Sequence, residues 1–275
     1  MDSHDIREHW LSWATTYGTD LRATTKTWTA KALEVDALFR RMRNLQSASK
    51  TARILEVGCG NGVNCIEIAK SLPHLQFDGI DYVPEMVRAA TENARISDVE
   101  NRVRFFVGDV LQLNRVKGLA QEYDVVFTDR CLINLNTIDL QKRAISSLAE
   151  RVKAGSYLLM IENSIVSYGA QNDCRMLLGL PPRKPADFNL FFDEDELRPH
   201  LKTIDLDLID VEDFSSLHDL MLYVLVPATN GGVVQYDHPL VEAATVLSKG
   251  LSSTQAGSFG AFGQNRLFVC QKRLR

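Results

Sequence analysis

The chain has 275 residues, 45% of them hydrophobic and 24% charged, with a formal net charge of −4 at pH 7. These totals exclude a disordered or fibrous chain and argue against a large nucleic-acid footprint. No apolar run approaches the ~20 residues that span a bilayer, and the charged start MDSHDIREHW lacks the apolar core of a signal peptide. The cysteines (59, 65, 131, 174 and 270) show neither a C-x-x-C pair nor metal-ligand spacing. The reading is a cytoplasmic protein with reduced thiols, no metal site and no membrane partner.

Residues 1–50 read as an N-terminal helical cap. Ile6, Trp10 and Trp13 space apolar bulk along a first helix, and Thr29 to Met42 form an amphipathic second one. Between them lies a polar, Thr-rich segment with Tyr17, Gly18, Arg22, Thr24, Thr25 and Lys26. A plain connector does not need two cations among threonines, although a solvated loop with Arg22 in a surface ion pair is the alternative. The rest, 51–275, reads as one Rossmann-like domain with insertions at about 166–200 and 215–264.

Within it, Ile54, Leu55 and Val57 make a buried strand that runs into Gly58, Gly60 and Gly62, and a helix begins at Val63. Strand, tight glycine turn and helix N-terminus form a nucleotide-binding corner. The glycines let a ligand approach without meeting a Cβ. Val63 occupies the third-glycine position of the dinucleotide pattern G-x-G-x-x-G, and Glu56 precedes the turn. A pyrophosphate disfavours that carboxylate; a cationic ligand favours it.

Residues 75–81 read as a second strand ending in Asp81, at the offset where a carboxylate grips a ribose diol. Pro84 starts a helix to Ile96, and Val103–Val107 form a third strand ending at Gly108-Asp109-Val110. A short helix or loop covers 114–122. Tyr123–Thr128 make the fourth strand, Leu140–Val152 a helix stopped by Gly155, and Tyr157–Ile161 the fifth strand. Residues 166–202 leave the core, with a rigid Pro-rich loop at 180–185 and a helix capped by Asp193. That cap accounts for the acidic cluster at 193–196 without a metal. A sixth strand lies within Thr203–Phe214, helical character near Leu217–Val226, a Gly/Ser-rich stretch over Ser252–Gly263, and a last, antiparallel strand at Arg266–Lys272.

The run E-V-G-C-G-N-G resembles motif I of the class I S-adenosylmethionine (SAM)-dependent methyltransferases. The resemblance implies an α/β fold: a Rossmann-like, seven-stranded, mostly parallel sheet with helices on both faces. It implies SAM as cofactor and S-adenosylhomocysteine (SAH) as product. Glu56 would lie near the methionine amino group, with Gly58, Cys59 and Gly60 cradling the cofactor. Asp81 would hold the ribose, Tyr82 and Met86 would flank the adenine, and Asp109 with Val110 would meet its amino group. The cap would close over the methionine end, with Tyr17 in the closing segment and Arg22 on the carboxylate.

The runs D-R-C-L-I-N-L, Y-L-L-M-I-E-N-S and Y-G-T-D-L-R-A-T-T resemble bacterial small-molecule methyltransferases associated with sugar and polysaccharide biosynthesis. That implies transfer to a hydroxyl of a small polar metabolite, a sugar or nucleotide-sugar. An alcohol gains from a general base; the candidates are Asp129, Glu162 and His218. Trp28, Arg130, Asn134 and Asn163 are the acceptor-side candidates. RNA or protein methylation is the alternative, disfavoured by net charge and by the lack of an Asn-Pro-Pro-Tyr-type run after strand four. A non-catalytic SAM-binding partner protein is another. Val63 and Glu56 argue against a nicotinamide oxidoreductase. The oligomeric state stays open.

Overall fold

The computed structural model describes residues 3–43, 51–254 and 259–274. The end of the expected cap (44–50) and part of the Ser252–Gly263 stretch lie outside the described residues. Seven strands form one sheet: β1 (Arg53–Val57), β2 (Gln76–Asp81), β3 (Val103–Val107), β4 (Tyr123–Asp129), β5 (Val152–Asn163), β6 (Leu206–Glu212) and β7 (Asn265–Lys272). Their order is β3-β2-β1-β4-β5-β7-β6. The first five strands pair in parallel, and β7 runs antiparallel to both neighbours. This is the Rossmann-like architecture expected from the sequence.

Strand residues alternate between the two faces, and each face is covered by its own helices. On one face Ile54, Phe77, Val125 and Phe127 pack with α2 (Trp28–Arg43), α3 (Val63–Ser71) and α4 (Pro84–Ile96). On the other, Leu55, Val57, Val126 and Leu158 meet α5 (Ile138–Arg151) and α7 (Glu194–Thr203). Local chemistry sets the starts of these helices. Pro84 opens α4, Thr137 accepts from the Leu140 amide at α5, and Asp193 accepts from the Asp195 amide at α7.

Three local expectations need correction. Gly155 does not stop a helix. It lies inside β5 at φ +78°, in a bulge between the pairs Tyr123–Val152 and Val125–Tyr157. Residues 166–202 hold, besides the expected Pro-rich loop and Asp193-capped helix, a further helix α6 (Ile165–Leu177) that begins at once after β5. The insertion before β7 holds α8 (Ser216–Leu220), a π-helical turn (Met221–Leu225), α9 (Val226–Thr229) and an unforeseen α10 (Pro239–Thr254). This insertion packs α10 against α2, so the start of the chain and its last insertion share one side of the sheet. There α1 (Ser3–Tyr17) and a 3-10 turn at Leu21–Ala23 lie against the start of α4 through Ala14, Ala23, Val83 and Met86.

Candidate functional site

The glycine turn sits at the carboxyl ends of β1 and β2, where ligands of open α/β sheets gather. Gly58, Gly60 and Gly62 all have positive φ, which suits glycine. A Cβ on Gly58 would lie 2.4 Å from Cys131 Sγ, and one on Gly60 would lie 2.4 Å from Thr24 Cγ2. The turn is therefore walled by the β4 loop on one side and by the N-terminal segment on the other. Asn61 Nδ2 donates to the Gly18 and Asp20 carbonyls, at 3.3 and 2.8 Å, and ties that segment down. The Asn61 Oδ1 atom is buried without a hydrogen-bond partner.

Asp81 is buried at the end of β2, where its carboxylate accepts from the Gly60 and Val83 amides, each at 2.9 Å. Burial pushes it up to about 6 against those bonds. Glu56 is fully buried beneath the turn, bonded by Asn64 Nδ2 at 2.7 Å and Cys65 Sγ at 2.9 Å. Burial pushes Glu56 up to about 7. It is an acid that gains from the arrival of a cation.

Beside Glu56 lies a buried ion cluster that joins α2 to the end of β4. Lys31 Nζ reaches Asp129 Oδ2 at 2.5 Å, Glu34 Oε2 at 2.6 Å and Asn64 Oδ1 at 3.4 Å. Asn64 also donates to Asp129 at 3.0 Å, so one amide links the cluster to Glu56. Arg130 Nε lies 2.9 Å from Glu34 Oε1 and 3.6 Å from Asp129 Oδ1. Burial drags Lys31 and Arg130 down, but the facing carboxylates outweigh it and hold both above their ordinary values. Burial likewise lifts Asp129, yet Lys31 and Arg130 win and keep it below the usual range. Glu34 is raised, because burial and the Asp129 charge exceed the pull of its cations. Arg130 itself has φ +52°, a strained backbone for a non-glycine residue at a ligand-facing edge.

Lys31, Glu34 and Asn64 were not singled out by the sequence, though one signal was present. Lys31, Glu34, Leu38 and Met42 follow helical spacing on α2, and all four are buried. A charged pair inside an apolar stripe is unusual enough to mark a site.

The acceptor-side candidates divide. Glu162 is fully buried and committed to the loop after β4. It accepts from the Thr128 hydroxyl at 2.8 Å and from the Cys131, Leu132 and Ile133 amides at 3.1–3.3 Å. Burial pushes it up to about 7 against that donor shell. Asn134 donates to the Arg130 and Cys131 carbonyls and accepts from Asn189, so it fixes the loop's shape. Asn163 donates to Asn265, which donates to Glu34 at 2.8 Å. His218 is buried, with Nδ1 2.8 Å from Asp219 Oδ1 and Nε2 3.1 Å from Thr29 Oγ1. The Asp219 carboxylate can only accept from Nδ1, so the neutral ring would present Nε2 as an acceptor to the Thr29 hydroxyl.

Of the other expected residues, Met86 is buried with Val83, while Tyr17 and Tyr82 pack partly buried against them. Cys59 is buried in the turn, and Asp109 caps the next 3-10 turn by accepting from the Leu111 amide, with Val110 buried behind it. Arg22 is not brought into the corner. It forms an exposed two-pronged pair with Asp20 and stacks over Tyr17 at 5.1 Å. Trp28 is about half exposed. No cluster of potential metal ligands occurs among the described residues.

Residues 48–178 match the model of a methyltransferase domain family. The matched stretch runs from the approach to β1 to the end of α6 and takes in the glycine turn. Norajmaline N-methyltransferase of Rauvolfia serpentina is 35% identical over 85 residues, 31% of this chain and 28% of that one. A tRNA1(Val) (adenine(37)-N6)-methyltransferase of Yersinia enterocolitica is 31% identical over 81 residues, 29% of this chain and 32% of that one. The matched stretch thus spans about a third or less of either relative. Among solved structures, magnesium protoporphyrin IX methyltransferase of Synechocystis PCC 6803 with bound SAH superposes with TM-score 0.60 at 15% identity, covering 98% of this chain and 100% of that one. That likeness is one of fold.

Magnesium protoporphyrin IX methyltransferase holds SAM or SAH in its solved structures, and the residues of the corner here fit such a ligand. The glycine cradle admits no Cβ, Glu56 is a buried acid without a cation on it, and Asp129 Oδ1 is buried without a hydrogen bond. The geometry also revises what removing Asp81 should do. On sequence grounds Asp81→Ala would leave the ligand-free protein's stability unchanged. Because Asp81 holds two backbone amides, the variant is expected to lose about 1–3 kcal/mol in urea denaturation. SAH affinity, read by calorimetry, should fall about ten- to a hundredfold. Unchanged affinity would remove Asp81 from the cofactor site.

Proposed function

We propose that this protein is a SAM-dependent methyltransferase acting on a hydroxyl of a small polar metabolite, a sugar or nucleotide-sugar. One observation carries the reading. Glu56, Asp81 and Asp129 gather around one glycine turn beneath a roof formed by the N-terminal segment, on whose helix α2 the helices α8 and α10 pack. A roofed, polar site suits a small acceptor better than a nucleic acid, and the net charge of −4 agrees. The relatives include enzymes named for small-molecule and for tRNA substrates.

Bound SAM supplies an electrophilic methyl group. Glu56 would hold its ammonium and Asp81 its ribose diol, and Tyr82, Met86, Asp109 and Val110 would line the adenine. Asp129 and Arg130, fixed by Lys31 and Glu34, orient the groups at the reacting end. The Thr24 side of the roof excludes water. Glu162 holds the loop that carries Cys131. Among the candidate bases, His218 retains an accepting nitrogen, so a proton from an acceptor hydroxyl reaches Nε2 through Thr29 Oγ1. Asp129 is engaged by Lys31, and Glu162 by amides.

Calorimetry on the full chain is the test. SAM and SAH are expected to bind in the micromolar range and NAD not at all. NAD binding without a response to SAH would overturn the reading. Methyl-labelled SAM offered with a metabolite extract or with RNA then distinguishes the acceptor class.

A further inference from the structure

Helix α6 is inverted. Apart from Tyr168 it buries Ser167, Gln171 and Arg175, and it turns Ile165, Val166, Met176 and Leu177 to the outside. An amphipathic helix ordinarily does the reverse, so the space beneath this one is polar. Into that space the Pro-rich loop delivers Arg183. Its backbone is clamped by the Asn172 amide, which accepts from Arg183 N at 2.8 Å and donates to Arg183 O at 3.0 Å. Its guanidinium lies 3.5 Å from the Tyr223 ring centroid and 5.0 Å from that of Tyr168. Tyr223 comes from the π-helical turn, a distortion that often marks a functional position.

The charges here do not cancel. Arg183 donates to Gln171 Oε1 at 2.8 Å and to Gln264 Oε1 at 3.1 Å. Arg175, 3% exposed, donates to the Pro181 carbonyl at 2.9 Å and to the Tyr223 carbonyl. All four partners are neutral oxygens, and among the described residues neither arginine pairs with a carboxylate. Burial, with Arg183 nearby, holds Arg175 below its ordinary value. Arg175 is buried and Arg183 half-buried beside it, without a counter-charge; burying an unpaired guanidinium is costly, and each carries more donors than these bonds use.

We propose that Arg183 and Arg175, on the Tyr168–Tyr223 platform, form a subsite for an oxyanion, the carboxylate or phosphate of the methyl acceptor. The word acceptor rests on the methyl-transfer reading; the anion site does not. The subsite adjoins the reacting end. Gln264, which receives Arg183, also donates its amide to Asp219, the partner of His218. The next residue, Asn265, holds Glu34, the partner of Arg130. The Tyr223 phenol lies within electrostatic reach of Arg183, Asp219 and Arg130. A planar guanidinium fork fixed on an aromatic face suits bidentate capture of an oxyanion.

The test titrates the full chain, saturated with SAH, with inorganic pyrophosphate and with malonate at constant ionic strength. At least one is expected to bind saturably at millimolar concentration or below. Pyrophosphate alone would assign a phosphate-bearing acceptor, and malonate alone a carboxylate. Arg183→Gln should weaken that binding by about tenfold or more. Arg183→Lys, which keeps the charge and the fold, should recover only part. SAH affinity should stay within about twofold in both variants. Equal anion affinity in wild type and Arg183→Gln, or no saturable binding of either anion, would overturn the subsite. If SAH itself fails to bind, the methyltransferase reading falls, and the same titration on the ligand-free chain still decides the anion site by the Arg183 criterion.

Discussion

Lys31→Met is expected to cost about 3–5 kcal/mol of folding free energy, the usual penalty for removing one member of a buried ion cluster. Methionine keeps most of the stem's volume, so little of the loss comes from packing. The loss comes from Asp129, which keeps Asn64 as a neutral donor while Arg130 stands off at 3.6 Å. Glu34 fares better, since Arg130 and Asn265 remain on it. Against a typical total of about 5–15 kcal/mol, such a loss is large. The double variant Lys31→Met/Asp129→Asn should recover more than half, because the amide no longer needs a counter-charge. Urea denaturation of both variants measures this directly. A loss below about 1 kcal/mol for the single variant would mean that the lysine is solvated and the cluster is not a tie between α2 and β4.

The second large effect is expected at Gly58. An alanine there must hold φ near +78°, which costs about 1–2 kcal/mol for an L residue. Its Cβ would also sit 2.4 Å from Cys131 Sγ and 2.6 Å from Cys131 Cβ. Such overpacking adds about 1–3 kcal/mol. The only relief is to push the β4 loop outward, which shifts Cys131 and Arg130 together. SAH affinity should therefore fall more than about a hundredfold while the strands persist, as read by calorimetry and circular dichroism. Gly58→Ala combined with Cys131→Gly removes the steric part and leaves the dihedral part. It should regain stability but only some of the affinity. Affinity close to wild type in the single variant would mean that the turn does not carry the cofactor.

The corner was legible because its chemistry is local. A β-branched run, closely spaced glycines and an acid at a fixed offset lie within a few residues of one another, and Asp81 follows one strand later. The opposite wall was not, for reasons that recur along the chain. Lys31 and Glu34 look like ordinary charges on an amphipathic helix until the stripe they share with Leu38 and Met42 is recognised. Glu162 looks like a free acid at a strand end because sequence does not reveal the three loop amides that consume it. Arg22 reads in the sequence either as a ligand group or as half of a surface ion pair, and Asp20, two residues away, takes both of its prongs. Helices α6 and α10 went unread because their apolar residues do not mark their buried faces. In α10 the inward positions are Val241, Ala244, Thr245 and Ser248, while Val246 and Leu247 face out.

The roof joins distant parts of the chain: His218 meets Thr29 across 189 positions and Asn265 meets Glu34 across 231. Strand β7, inserted between β5 and β6, comes from the last few residues described. During synthesis the first five strands and their helices are made well before these partners exist. The glycine corner therefore assembles on a half-finished sheet, while α2 carries Lys31 and Glu34 with no insertion yet to pack against. Contacts of such long sequence separation form slowly. Until they form, the emerging polypeptide exposes the edge of β5, the kind of surface that chaperones shield from aggregation. The His218–Thr29 and Asn265–Glu34 ties thus close on a glycine corner that is already built.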